Sequence, residues 1–193
     1  MSKISVPISN HFCPQTMFLY GTYKEDGTPN FGLFCWFSYC WDDGLCVMAC
    51  IGGEKTTLHR IQATGVFSAN LVTRPMLPLA DFSGSTPGND PRKANYPFAV
   101  TKGAVLDVPI LKDSPISFEL EVKKAVPLDG SLVIICGVRN VLADETLANE
   151  EQDVLKRMLY ADPVYTTHET YFSITGERMG AWGTGRIIHR KSI

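Results

Sequence analysis

Residues 31–71 read FGLFCWFSYC-WDDG-LCVMACI-GGEKTT-LHRIQATG-VFSANL, and the rest of the chain is organised around them. Two apolar runs flank the turn Asp42-Asp43-Gly44. Leu45–Ile51 is apolar at every position, which predicts a strand buried on both faces, one against a core and the other against a helix or a second subunit. Gly52-Gly53 ends it. A helix over Leu58–Ala63 follows, capped by Thr56 or Thr57, buried through Leu58 and Ile61, and stopped by Gly65. Val66–Val72 returns as a strand.

Outward from this stretch the chain alternates strands and turns. Phe18–Tyr23 is rich in aromatic and β-preferring residues. Asp26-Gly27 then gives a hairpin signal, with Asn30–Tyr39 as the returning strand. Pro7 and Pro14 keep the lead-in irregular. Arg74–Phe82 can hold a short helix, and residues 83–91 have a loop composition. A loop this long inside the 73–97 region suits a lid or a dimer arm. In Ile116–Val122 apolar residues alternate with Ser117, Glu119 and Glu121, which predicts one buried and one wet face. Pro127–Gly130 turns the chain into a central strand over Ser131–Leu142, where Gly137 marks a bulge or a close backbone approach. Asn149–Leu159 reads as a helix with acids near its start and bases near its end, stopped by Pro163. Tyr165, Tyr171 and Trp182 fall in a loop-rich segment before the basic tail Arg186–Lys191, read as a solvated end. No repeat, linker or low-complexity tract interrupts the 193 residues, so the expectation is one domain: a mainly β, antiparallel barrel of about six strands with a few peripheral helices.

Composition narrows the function. The net charge of −2 provides no field for nucleic acid or acidic lipid. No apolar run is long enough to span a membrane, and the first residues do not read as a signal peptide, so the cytoplasm is the expected location. There Cys13, Cys35, Cys40, Cys46, Cys50 and Cys136 are expected as free thiols. Four of them lie within residues 35–50 without a C-x-x-C pair or a histidine cluster, so no metal site is expected. His11, His59, His168 and His189 are scattered, and no serine sits in a nucleophile elbow. With so few acid–base groups, an enzyme of this sequence needs a cofactor to carry its reaction.

One segment can hold an anion. Backbone N–H groups at a helix start lack partners and carry partial positive charge. Lys55 adds a full charge, Thr56 and Thr57 add hydroxyls, and glycines allow close approach. The plain alternative is a glycine turn with a threonine cap. It is not a nucleotide P-loop, because Glu54 rather than glycine precedes the lysine.

In order and spacing these pieces resemble the flavin reductase-like family of FMN-binding split barrels, flavoredoxins included. The resemblance rests on Gly21-Thr22, Asp26-Gly27-x-Pro29-Asn30, Cys35-Trp36-Phe37-Ser38, Lys55-Thr56-Thr57, Ile61 and Gly65-x-Phe67-x-x-Asn70-Leu71. It continues through Leu106–Pro109, Phe118–Val122, Gly137-Val138 and Tyr165–Gly176, and so covers residues 11–183. It implies a six-stranded Greek-key split barrel and a homodimer with non-covalent FMN near the interface. By position, Cys35, Trp36 and Phe37 would lie along the isoalloxazine ring, and Cys50, Ile51 and Gly52 beside the ribityl chain. Lys55, Thr56 and Thr57 would hold the phosphate, and Asn70 and Leu71 would close the site. Trp36 reads equally as a core or interface aromatic, and Asn70 as a strand-end turn residue. The segment Met76–Asn95 departs from the family pattern and leaves donor and acceptor open. The implied activity is reduction of bound FMN by NADH or NADPH and reoxidation by a small molecule or a redox partner protein. The alternatives are an FMN electron carrier without nicotinamide turnover and a non-enzymatic binding barrel.

Overall fold

The computed structural model describes residues 3–10, 13–167 and 169–174. The first half runs β1 (Gln15–Thr16), β2 (Phe18–Tyr23), β3 (Pro29–Phe34), β4 (Phe37–Trp41), β5 (Leu45–Gly52), α1 (Thr56–Thr64) and β6 (Val66–Leu71). A 3-10 turn (Arg74–Met76), α2 (Leu77–Ser85), α3 (Pro91–Ala94), β7 (Val100–Lys102) and β8 (Pro109–Leu111) follow. The long strands β9 (Ile116–Leu128) and β10 (Ser131–Ala143) lead to α4 (Glu145–Ala148), α5 (Val154–Ala161), β11 (Val164–Thr167) and β12 (Thr170–Ser173). No helix among the described residues is long and apolar enough to cross a membrane.

The protein is mainly β, and its ladders are antiparallel. Seven strands pair in the order β3-β2-β6-β9-β10-β5-β4, beside a three-stranded sheet β1-β11-β12 and the pair β7-β8. The two edge strands, β3 and β4, are consecutive in sequence. One core takes Phe18 and Tyr20, Phe34, Val47, Phe67, Phe118 and Ile134 from across the sheet, and Phe37 of the far edge stacks on Phe18 at 4.1 Å. The sheet therefore curls until its edges share a core. A second core, with Leu19, Phe31, Met76 and Leu111, seals the outer face of β2 and β3 under α2 and β8.

Several expectations change. The strand expected over Asn30–Tyr39 is two strands. After pairing with β2 as far as Phe34, the chain turns at Cys35-Trp36 and pairs with β5 from Phe37. At that corner the Phe37 N–H donates to the Cys35 carbonyl, and the Cys50 N–H to the Trp36 carbonyl, both at 3.1 Å. This break makes the seventh strand of the main sheet. Strand β5 buries Cys46, Val47, Ala49 and Ile51 but leaves Leu45 and Met48 exposed. Helix α1 is longer than expected and neither threonine caps it: Lys55 is the cap residue, and Thr57 is drawn inward. Gly65 ends α1 at φ 74°, as expected.

Helix α2 extends to Ser85, which shortens the loop expected over residues 83–91; Gly84 sits where a Cβ would come within 2.9 Å of Leu33. Over residues 116–122, strand β9 is wet at Glu121 but not along the rest of its polar face. Ser117 and Glu119 are buried, and the Glu119 carboxylate accepts from the N–H groups of Ala104, Val105 and Leu106 and from Asn140. The backbone donors of a packed loop satisfy a buried carboxylate that alternation alone assigns to water. Gly137 lies between two register shifts of the β9–β10 ladder, and a Cβ there would make only ordinary contact with Lys123. The helix expected over Asn149–Leu159 starts later and ends later, as α5 over Val154–Ala161, where Asp153 accepts from the Leu155 and Lys156 amides; the short α4 ends before Asn149. Tyr165 and Tyr171 lie in β11 and β12 rather than in loops. His11, His168, His189, Trp182 and the basic tail lie outside the described residues.

Candidate functional site

The turn after β5 is held by a bond from the Gly53 N–H to the Gly130 carbonyl (3.0 Å), with Gly53 at φ 68°. Lys55 is extended, and the first helical bond of α1 runs from the His59 N–H to the Lys55 carbonyl. The preceding amides, Thr56 to Leu58, are thus the free donors of the helix start. They open into a cleft of about 450 Å³, lined by Lys55, Thr56 and Thr57 on one side and by the α2–α3 loop with Thr86, Gly88 and Lys93 on the other.

Three residues of this cleft were not expected from sequence. Asn30, on β3, is buried; its Nδ2 donates to Thr57 Oγ1 at 3.0 Å and more weakly to Thr22 Oγ1 at 3.4 Å. Its Oδ1 is buried without a partner, so the amide is one hydrogen bond short. Gly88 closes the wall: a Cβ there would stand 2.6 Å from the Thr56 Cβ and 3.0 Å from Asn30 Oδ1. Lys93 is only 4% exposed, and its Nζ donates to the carbonyls of Ser83 (2.7 Å) and Thr86 (3.1 Å). Burial, then repulsion from Lys24 and Lys55, brings its pKa down to about 8. An ammonium that two neutral carbonyls hold among other cations is a site waiting for negative charge. In sequence only proximity to a Gly/Pro-rich loop marked Lys93, and Asn30 stood among the residues of the family resemblance without a role in the site.

The cleft continues along β3. Leu33 and Phe34 link it to a pocket of about 230 Å³ that reaches Cys35, Thr166 and Tyr171, and this adjoins another of about 250 Å³ beside Gln15 and Trp36. The Trp36 ring lies over Gly52, with Cζ3 3.9 Å from where a Cβ of Gly52 would be. Burial pushes the Cys35 thiol up, so it is neutral at ordinary pH. The Tyr171 hydroxyl donates to Asp81 at 2.7 Å and ties β12 to α2; burial and this bond hold its pKa up at about 12.

The structure thus brings Lys55, Thr56 and Thr57 together at one end of a groove, and Cys35 and Trp36 at the other, with Gly52 beside the Trp36 ring but not in the groove lining. It does not bring in the remaining expected residues by their side chains. Phe37, Ile51 and Leu71 point into the core. Cys50 is half-buried and bonds to Trp36 through its amide. Asn70 is fully buried and saturated: Nδ2 donates to the Leu19 carbonyl and Ser68 Oγ, and Oδ1 accepts from the Leu111 N–H and Ser117 Oγ. It is a cross-strand brace with nothing left to offer a ligand in this protomer. His59 is on the exposed side of α1, bonded to Glu54 at 2.7 Å.

Fold and site define a class: an antiparallel β protein with an anion cleft at a helix start and a groove leading from it to an exposed tryptophan. The chain belongs to the flavin reductase-like family; the model of the flavin reductase like domain matches residues 10–169. A search of curated proteins gives no significant match. Among solved structures, the flavoredoxin of Methanosarcina acetivorans superposes with a TM-score of 0.84 at 20% identity, over 96% of this chain and 98% of that one. The flavoredoxin of Desulfovibrio vulgaris (Miyazaki F) gives 0.83 at 22%, over 96% and 100%. An FMN-binding protein from Thermus thermophilus, with bound p-hydroxybenzaldehyde, gives 0.74 at 18%, over 94% and 98%. At these identities the likeness shows the fold.

Proposed function

We propose that the chain binds FMN non-covalently in this groove and is an oxidoreductase: NADH or NADPH reduces the flavin, and a small molecule or a partner protein reoxidises it. The observation that carries this reading is the cleft where Lys55, Thr56 and Thr57 face Lys93, Gly88 and the under-bonded Asn30. Its residues fit a phosphate ester. Lys55 and Lys93 neutralise charge, the α1 amides and two threonine hydroxyls donate, and the missing side chain at Gly88 lets its loop close on Thr56. Asn30 Oδ1 is an acceptor, so its missing partner is a donor such as a ribityl hydroxyl of the same ligand, not the ionised phosphate.

Bound flavin supplies the hydride chemistry for which the chain has no side chain of its own. The protein's part is to bind and orient. Trp36 and Cys35 border the far end of the groove with an apolar ring and a neutral thiol, which shields that end from water. Strand β4 is an open sheet edge whose Trp41 is 77% exposed, next to exposed Tyr39, Leu45 and Met48. A second copy of the chain covering this edge gives the homodimer with the flavin near its interface. Six free thiols suit a cytoplasmic location.

The test is a visible spectrum of the protein mixed with FMN and desalted, followed by anaerobic NADH and NADPH. Retained flavin that bleaches is the expected result. Retained flavin that neither nucleotide bleaches makes the protein an electron carrier. A colourless protein removes the tight FMN site.

A further inference from the structure

The two pockets at the Trp36 end of the groove share Cys35, Thr166 and Glu169. Their described lining is otherwise neutral; Glu169 is the only charged residue in it. The Cys35 thiol is neutral too, because burial raises its pKa. The opposite end of the groove, where Lys55 and Lys93 outnumber the one acid, Glu54, is cationic on balance. A charge gradient therefore runs along one continuous groove, positive where a phosphate fits and negative where it ends.

Glu169 is placed by the fold in an unusual way. Thr167 and Thr170 pair across the β11–β12 hairpin, and Glu169 lies in the tight turn between them at φ 54°. That is left-handed backbone, which glycine or asparagine adopts more readily than glutamate. Among the described residues it has no ion-pair partner. The turn is held in place on both sides, because β11 pairs with β1 and Tyr171 of β12 bonds to Asp81 of α2. A carboxylate in strained backbone, unpaired, at the mouth of an otherwise neutral pocket has a better explanation in what enters the pocket than in the stability of the turn.

We propose that this end of the groove seats the second substrate and that Glu169 determines its class: planar molecules that are neutral or cationic enter, and carboxylates are excluded. Trp36 supplies a flat apolar surface, and Gln15 and Thr166 supply hydrogen-bonding groups that neutral amides and aldehydes can use. Like charge at Glu169 opposes an acid, and opposite charge favours an amidinium. Naming the ligand a substrate rests on the flavin reading above; the charge selectivity does not.

The test uses three probes of one size: benzamidine, benzamide and benzoate. Binding is measured by titration calorimetry on the full chain, without flavin and after loading with FMN. The expected order is benzamidine, then benzamide, then benzoate, with benzoate weaker than benzamidine by about tenfold or more. Glu169→Gln should bring the three to within about threefold of one another. Glu169→Gly relieves the left-handed strain, so it folds at least as well and should give the same levelling. Benzoate binding as tightly as benzamidine, an unchanged order in both variants, or no binding of any probe overturns the proposal. Retained FMN without the probe order refutes this inference alone. The probe order without retained FMN upholds it and removes the flavin reading instead.

Discussion

If the cleft holds the flavin phosphate as proposed, Lys93 should make that binding depend on pH above neutrality. In the free protein its pKa is about 8, because burial and the charges of Lys24 and Lys55 disfavour the ammonium. A phosphate dianion reverses that balance, so the complex keeps Lys93 protonated. Binding above pH 8 must then take up a proton. From pH 7 to pH 9 the protonated fraction of the free lysine falls from about nine tenths to about one tenth, and affinity for FMN falls about tenfold with it. The phosphate itself is fully ionised across this window, since its second pKa is about 6. Lys93→Met keeps the apolar stem and removes the charge. It should weaken binding at pH 7 by about ten- to a hundredfold, the worth of one charge-assisted hydrogen bond, and abolish the pH dependence. Quenching of flavin fluorescence, titrated at half-unit steps of pH, measures both. A flat affinity from pH 7 to 9 in the wild-type protein, or the same slope in Lys93→Met, refutes the assignment.

The same lysine affects stability without flavin. Its folded pKa lies below the unfolded value, so the unfolded chain binds more protons between pH 8 and about 10.5, and stability rises with pH through that window; wild-type minus Lys93→Met melting temperatures should show the rise. Lys55→Ala and Thr57→Val should each weaken FMN binding by at least about tenfold in equilibrium dialysis, Thr57→Val also because it removes the partner of Asn30 Nδ2. Asn70→Ala should cost about 2–4 kcal/mol in urea unfolding, since the buried Leu19 carbonyl and Leu111 amide lose their partner, while the flavin affinity of the folded protein stays within about twofold. At Glu119, burial works to raise the pKa, but the bonds from Asn140 and the Leu106, Val105 and Ala104 amides outweigh it, and the folded pKa is lowered. Its contribution is therefore present above the unfolded pKa and lost as pH falls through the lowered one. Glu119→Gln should be less stable by about 1–3 kcal/mol at pH 7, with the difference shrinking as the pH falls below the ordinary carboxylate range, followed by thermal melts.

The strands and turns were legible because their signals are local. Asp26-Gly27, Asp42-Asp43-Gly44, Gly65 and Asp129-Gly130 punctuate runs whose residue types suit a pleated surface, and all four turns carry positive φ where expected. The grouping of Lys55, Thr56 and Thr57 at one cleft was legible for the same reason: a glycine turn, a lysine and two threonines at a helix start are placed by their own backbone. The split of Asn30–Tyr39 at Cys35-Trp36 was not, because it depends on β3 and β4 having different partners, β2 and β5.

Side-chain direction was the other thing sequence could not supply. Asn70 resembled a ligand by position, yet four partners, three of them from other segments, engage it within the fold. Lys93 was silent and Asn30 was a landmark without a role, yet the tertiary structure carries both to the helix start, 27 residues from Asn30 in the case of Thr57. The sequence by itself determined the β character, the turns and the chemistry available at Lys55-Thr56-Thr57, since each is written in neighbouring residues. Only the tertiary structure decided which of the remaining polar groups are satisfied inside the protein and which are left facing a cleft, because a hydrogen bond between distant segments leaves no mark on the residues beside it.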